Sequence, residues 1–195
     1  MFRAFTTAAF CIAAGAREIV LVGDHEQALA MKRDDPRLFL TGEIGGKPIQ
    51  GFDIGNSPSR IDGLDLQGRR VVQRTSSGTQ GVVAATRATE ILLGSLVIGS
   101  ATARYLRANA SEVTVVAMGA SRQEPSHEDE TGAAFIAARL IGEPDPPAIV
   151  LHDDTTWEDW FPRRDAELAL EIDRFAFALP VHREGGLLIA RPVFV

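Results

Sequence analysis

A chain of 195 residues with 45% hydrophobic content suits one well-packed domain or two small subdomains. A formal net charge of −6 argues against nucleic acid as the main partner, because a phosphate backbone attracts clustered Lys and Arg, but it leaves room for a small anion held by local donors. Cys11 is the only cysteine, which excludes an intrachain disulfide and a cysteine-based zinc site; a reducing cytoplasm fits, with Cys11 a small buried apolar residue.

The first 22 residues admit two readings. Arg3, the apolar run Ala8–Ala14 and then Ala14-Gly15-Ala16 have the outline of a short signal peptide. The same residues read as a buried small-residue helix, Ala4–Ala14, ending at Gly15 and followed at once by a strand. The short apolar core and the missing spacer favour the helix. Along the rest of the chain, strand-like runs at Ile19–Val22, Leu38–Leu40, Arg70–Arg74, Ile91–Leu93 and Val113–Ala117 alternate with helical patterns at His25–Arg33, Gln80–Glu90, Ser100–Ala108 and Asp129–Ile141. Gly45-Gly46 reads as a hairpin turn between Leu38–Ile44 and Lys47–Gln50. Gly142–Pro147 reads as a stiff connector, followed by an acidic, tryptophan-bearing piece at His152–Trp160, a helix near Arg163–Ala176 and a terminal strand at Leu187–Val193. The apolar stretch Ile91–Ala103 is shorter than the about 20 residues a spanning helix needs, so no membrane segment is expected.

Such alternation predicts an α/β fold: three layers, α/β/α, around a largely parallel or mixed sheet. The whole of 1–195 then forms one domain, or two subdomains parted near 142–150. In such sheets ligands collect where strand carboxyl ends run into helices. Two loops rich in Gly, Ser, Thr and Asn are predicted at that edge, Gly51–Pro58 and Thr75–Thr79, together with Gly94-Ser95 and Gly119-Ala120-Ser121. Their backbone N–H groups and hydroxyls suit a small anion. Turn and N-cap chemistry explains either loop alone; two on one edge favour an anion site.

Ser126-His127-Glu128-Asp129-Glu130 reads first as a helix cap with acids complementing the dipole, and second as carboxylates for Mg²⁺, which takes one or two carboxylates plus phosphate oxygens. Glu43 and Asp53 flank the Gly-Gly turn and are placed on the same edge. Arg3 and Arg74 sit beside element ends, where each pairs with a carboxylate or grips an oxyanion. The four histidines lack metal-ligand spacing, and Trp157, Trp160 and Phe161 read as core or interface. No Walker-type lysine loop is present.

In order along the chain, these motifs resemble the 2-phosphosulfolactate phosphatases, magnesium-dependent hydrolases of the coenzyme M route. Phe2-Arg3-Ala4-Phe5-Thr6-Thr7 is similar to the family's Leu-Arg-Ala-Thr-Thr-Thr. Leu40–Glu43, Gly51–Pro58 and Thr75–Thr79 resemble its Gly-Glu, Gly-Phe-Asp-x-Gly-Asn-Ser-Pro and Thr-Thr-Asn-Gly-Thr elements. Gly94-Ser95 with Ser100-Ala101, Glu128-Asp129 with Ala133-Ala134, and Phe177–Val181 continue the match over nearly the whole chain.

The resemblance implies hydrolysis of a small phosphorylated acid with Mg²⁺. The reading places Arg3, Glu43, Asp53 and Asp129 in catalysis, Asn56, Ser57, Thr75, Ser77, Gly78, Thr79 and Ser95 on the substrate and its phosphate, and the metal on Glu128 and Asp129. No nucleic acid or membrane partner is expected, and self-association is left open. Departures are visible. The family's initial strand, ending in Asp-Val, would precede Met1, which implies a start assigned too late or a missing strand that leaves a sheet edge bare. Ser77, Ile98 and Ala134 stand where the family has Asn, Asn and Gly, and Ile98 implies a lost polar contact. The alternative is therefore a non-catalytic binding or assembly protein on the same fold.

Overall fold

The computed structural model describes residues 3–119, 125–152 and 155–195. Every statement below concerns those residues. Phe2, Ala120, Ser121, Asp153 and Asp154, named above, lie outside them.

The N-terminal run forms helix α1, Ala4–Ala13, with Thr6–Ile12 all buried. Strand β1, Glu18–Leu21, follows, then α2, His25–Asp34, and β2, Phe39–Ile44. Asp24 caps α2 by accepting the Glu26 N–H, so its start is written in the local sequence. The Gly45-Gly46 turn leads to the two-residue strand β3, Lys47–Pro48, shorter than expected because Pro48 offers no N–H to the ladder. Next come β4, Ile54–Gly55, the single-turn helix α3, Pro58–Ile61, and β5, Arg70–Arg74. Helix α4, Gly78–Ala84, precedes β6, Ile91–Leu93, and α5, Gly99–Asn109. Helix α6, His127–Ile141, α7, Arg163–Ala169, and strands β7, Phe177–Glu184, β8, Leu187–Ala190, and β9, Val193–Phe194, complete the order.

The strands join one mixed sheet in the order β3-β2-β5-β1-β8-β7-β6, with β4 beside β2 and β9 beside β7. The pairs β1–β5, β2–β5 and β2–β4 are parallel, while β1–β8, β8–β7 and β7–β6 are antiparallel. All four residues of β1 are buried, and its alternation divides them between two cores. Ile19 and Leu21 face α1 and α3 with Val71 and Leu179, whereas Val20 faces Ala28 of α2 with Leu40, Val72 and Ile189. The expected three-layer arrangement is the one found.

Three expectations are corrected. Val113–Ala117 forms no strand: an alternating apolar run becomes a strand only against a sheet edge, and this one lines a cleft, with Val116 66% exposed. The parallel rule stops at β1, because Gly185 and Gly186 turn β7 back as a hairpin; the charged end of β7 and its Pro180 hid a strand that lies inside the sheet. Two helices are short. Arg183 on β7 donates to the Ala85 carbonyl at the end of α4 (2.8 Å). Asp173, at φ 56°, breaks the chain after α7, and its carboxylate instead accepts the N–H and hydroxyl of Ser100 at the start of α5, both at 2.7 Å. Among the described residues no helix is long and apolar enough to cross a membrane.

Candidate active site

The carboxyl ends of the parallel strands carry the two loops, as the switch-point rule requires. Asn56 follows β4, Thr75–Ser77 follow β5, and Glu43 sits near the end of β2. Arg3, Glu43, Asn56, Thr75, Ser76, Ser77, Gly78, Glu128 and Asp129 all line one cleft of about 980 Å³. They come from segments up to about 125 positions apart, brought together by the sheet.

Its N–H donors are concentrated and unspent. The backbone N–H groups of Ser77 and Gly78 have no protein acceptor among the described residues. Arg3 spends one of its five guanidinium N–H groups, on the Gly46 carbonyl at 3.1 Å. Gln73, fully buried, donates to the Ala4 carbonyl (2.7 Å) and to Asn56 Oδ1 (3.4 Å), which orients the Asn56 amide and leaves its NH₂ without a protein partner. Gly78 is required where α1 meets this loop: a Cβ there would lie 2.7 Å from the Ala4 Cβ and 3.1 Å from Phe5 Cζ. Burial lowers the Arg3 pKa, and the carboxylates of Glu43 and Asp165 oppose that shift. The guanidinium stays a cation facing the cleft.

Other expected residues brace the site. Glu43, 5% exposed, accepts from Ser76 N (2.6 Å), Ser76 Oγ (2.9 Å) and Gly46 N (2.7 Å), so both its oxygens join the hairpin turn to the β5 loop. Thr75 and Thr79 bond each other: each N–H donates to the other's Oγ1, at 2.8 and 3.0 Å. That is the local cap chemistry, and it fixes the loop shape from which Ser77 and Gly78 present their amides. Ser77 Oγ donates to the Met118 and Gly119 carbonyls at 3.2 and 2.9 Å. Arg74 holds the Gly23 and Glu43 carbonyls and is off the cleft lining.

The fold does not bring every expected residue to the cleft. Asp53 is tied to Lys32 Nζ (2.7 Å) and the Leu40 N–H (2.7 Å), away from the lining. Ser57, 2% exposed, donates to Asp165 Oδ1 at 2.7 Å. Ser95 is buried and off the lining, although its neighbour Gly94, just after β6, is on it. Ile98 is 0% exposed in the main core, so it removes no polar group from the cleft.

Ser126 caps α6, accepting from the Asp129 N–H at 3.3 Å, which is the first reading of this stretch, and Glu128 and Asp129 also line the cleft. No group of three His, Cys, Asp or Glu able to hold a metal occurs among the described residues. Two neighbouring carboxylates fit a hard cation only in the manner of Mg²⁺, with phosphate oxygens and water completing the shell. Successive helical side chains point about 100° apart, and of the two Asp129 is the buried one, 7% exposed. Gln73, Ser76 and Asp165 were missed. Gln73 sits mid-strand, Ser76 lies inside a turn-like loop, and Asp165 stands in the first turn of a helix, so none carries a motif of its own.

The sequence family described as 2-phosphosulpholactate phosphatase matches residues 1–166. The chain is 38% identical over 145 residues to a Deinococcus radiodurans protein named "Probable 2-phosphosulfolactate phosphatase", covering 72% of this chain and 59% of that protein. It is 32% identical over 141 residues to a Bacillus subtilis protein of the same name, covering 72% and 61%, and 32% identical over 163 residues to one from Gloeobacter violaceus, covering 81% and 68%. The chain thus spans less than two thirds of the length of the first two relatives. A family match over most of the chain, in which the Arg3, Asn56 and Thr75–Gly78 elements meet in one cleft, establishes that the chain belongs to the 2-phosphosulpholactate phosphatase family.

Proposed function

We propose that the chain is a phosphoric-monoester hydrolase of a small phosphorylated acid, with 2-phosphosulfolactate, converted to 3-sulfolactate and phosphate, as the substrate its relatives' names suggest. The observation that carries this reading is the convergence of unspent donors in one cleft: the Ser77 and Gly78 amides, the Asn56 NH₂ and the Arg3 guanidinium. Fixed donors of this kind bind a phosphoryl group and need no reorganisation as its charge shifts toward the leaving oxygen. Arg3 takes two oxygens side by side, the loop amides take a third, and Asn56 orients the ester. Asp129, with Glu128, would hold Mg²⁺, which when bound neutralises the charge developing on the leaving oxygen. The attacking group is assigned to water, since Ser77 Oγ and the Glu43 oxygens are engaged within the protein. A reducing, cytoplasmic setting accords with the lone, buried Cys11 thiol.

Phosphate release from 2-phosphosulfolactate and from p-nitrophenyl phosphate, with and without Mg²⁺, tests the reading. The chain should release phosphate with Mg²⁺ present, and Asp129→Asn should lose the Mg²⁺ dependence. Release from neither ester, by this chain or by a form extended upstream, would refute it. The second reading, a binding protein that retains the fold, draws on the lack of a three-ligand carboxylate group among the described residues. It predicts saturable phosphate binding without turnover.

A further inference from the structure

The segment before α7 grips the cleft from outside. Trp160 packs on Gly46, which has φ +87°; a Cβ there would lie 2.4 Å from Trp160 Cζ3. The Arg3 guanidinium lies 5.1 Å from the centre of the Trp160 ring and 4.6 Å from that of Phe161, a desolvated cation–π cradle for the residue whose other N–H groups face the cleft. In the first turn of the next helix, Asp165 is 0% exposed. Its Oδ1 accepts from Ser57 Oγ (2.7 Å), Ser59 N (3.0 Å) and Ser59 Oγ (2.5 Å), while its Oδ2 is buried without a partner. Arg60 adds a bond to the Asp159 carbonyl at 3.1 Å.

We propose that Asp165 is a positioning residue for the cleft: its Oδ1 fixes the turn that presents Asn56, and its charge, with the Trp160–Phe161 cradle, fixes Arg3. The turn needs such an anchor. Helix α3 has four residues, too few to sustain itself, and Ser57 at its N-cap gives its helix no side-chain bond, because its hydroxyl goes to Asp165. Asn56 is the residue next to Ser57, so while Gln73 holds its amide, the position of its backbone is tied to a bond to a side chain 108 positions away. The charge matters separately. A buried carboxylate with an unpartnered oxygen is costly, and a neutral acceptor would still hold Ser57 and Ser59, by weaker bonds. What the neutral acceptor lacks is the attraction for Arg3, on which Asp165 and Glu43 are the two acting carboxylates.

Only the phosphate arm of the test rests on the phosphatase reading. Asp165→Asn keeps the shape and an acceptor but removes the charge; Asp165→Ala removes both. Ser57→Ala removes one bond, and Leu168→Ala, a buried neighbour on the same helix, controls for lost stability. The ligand-free proteins are compared by the NMR signals of the Asn56 side-chain amide and the Arg3 Nε–H, and inorganic phosphate is then titrated. Asp165→Asn should move the Arg3 signal and weaken phosphate about ten-fold. Asp165→Ala should move both signals and weaken phosphate further, and Ser57→Ala should move the Asn56 signal alone. Leu168→Ala should lower the melting temperature with both signals in place. Unmoved signals in Asp165→Asn and Ser57→Ala overturn the proposal, as does Leu168→Ala reproducing the changes seen in Asp165→Asn. A wild-type chain that neither binds nor hydrolyses phosphate counts against the phosphatase reading, and the ligand-free signals then decide the role of Asp165.

Discussion

Replacing Glu43 by Ala would strip the acceptor from three donors at once, the Ser76 and Gly46 amides and the Ser76 hydroxyl. A hydrogen bond to a charged group contributes about 1.5–3 kcal/mol net, so three independent ones would sum to about 4.5–9 kcal/mol. That sum is an upper bound. The three share a single carboxylate, whose desolvation is recovered when it is removed, and the cleft beside them admits water to the freed amides. A loss of about 3 kcal/mol is expected, which for a domain of this size lowers the melting temperature by roughly 6–12 °C. Glu43→Gln keeps one carbonyl oxygen but turns an NH₂ toward donors, and should lie about halfway. Thermal unfolding followed by circular dichroism reads the stability, and phosphate release well below each variant's melting temperature reads the chemistry. A melting temperature within about 1 °C of the wild type, with phosphate release abolished, would refute the bracing role and make Glu43 a catalytic group.

Glu18 is buried at the end of β1, where burial alone would raise its pKa; hydrogen bonds from Arg70 (2.5 Å) and Arg191 (2.9 Å) outweigh this and leave it below the usual carboxylate range. Its folded pKa is depressed, so its stabilisation is present above the unfolded value of about 4.3 and is lost as the pH falls through the folded value. Glu18→Gln should therefore be less stable at neutral pH and show a shallower fall in acid; an acid limb parallel to the wild type sinks the assignment. Asp53→Ala should cost about 1–2 kcal/mol through Lys32 and the Leu40 amide, while phosphate release per folded molecule stays within about two-fold; a deep loss of turnover at full stability would return Asp53 to the catalytic set. Ile98→Asn, which restores the family residue, should destabilise by about 3–5 kcal/mol because it buries an amide at a fully enclosed core position. Urea unfolding measures it, and an unchanged midpoint would show that this position opens to the cleft.

Features set by neighbours in the chain were legible without the fold. The Asp24 and Ser126 caps are local hydrogen bonds. The run Ile19–Val22 is buried on both faces and reads as a central strand. The Gly45-Gly46 turn and the Thr75–Thr79 loop close within a few residues, and their glycines and hydroxyls announce them. Val113–Ala117 and Arg163–Ala176 show the opposite case: a strand needs an edge to join and a helix a stopping point, and Val113–Ala117 joins no strand of the sheet while Asp173, bonded to Ser100, ends the helical segment. In the same way the sequence by itself determined that a Ser/Thr/Gly-rich loop follows β5 and that the fold is α/β. Only the tertiary structure decided which polar groups are spent. Glu43, Ser57 and Asp53 carry the same chemistry as Asn56, but they bond partners 33, 108 and 21 positions away, and a hydrogen bond across such a distance exists only once the sheet has brought its ends together.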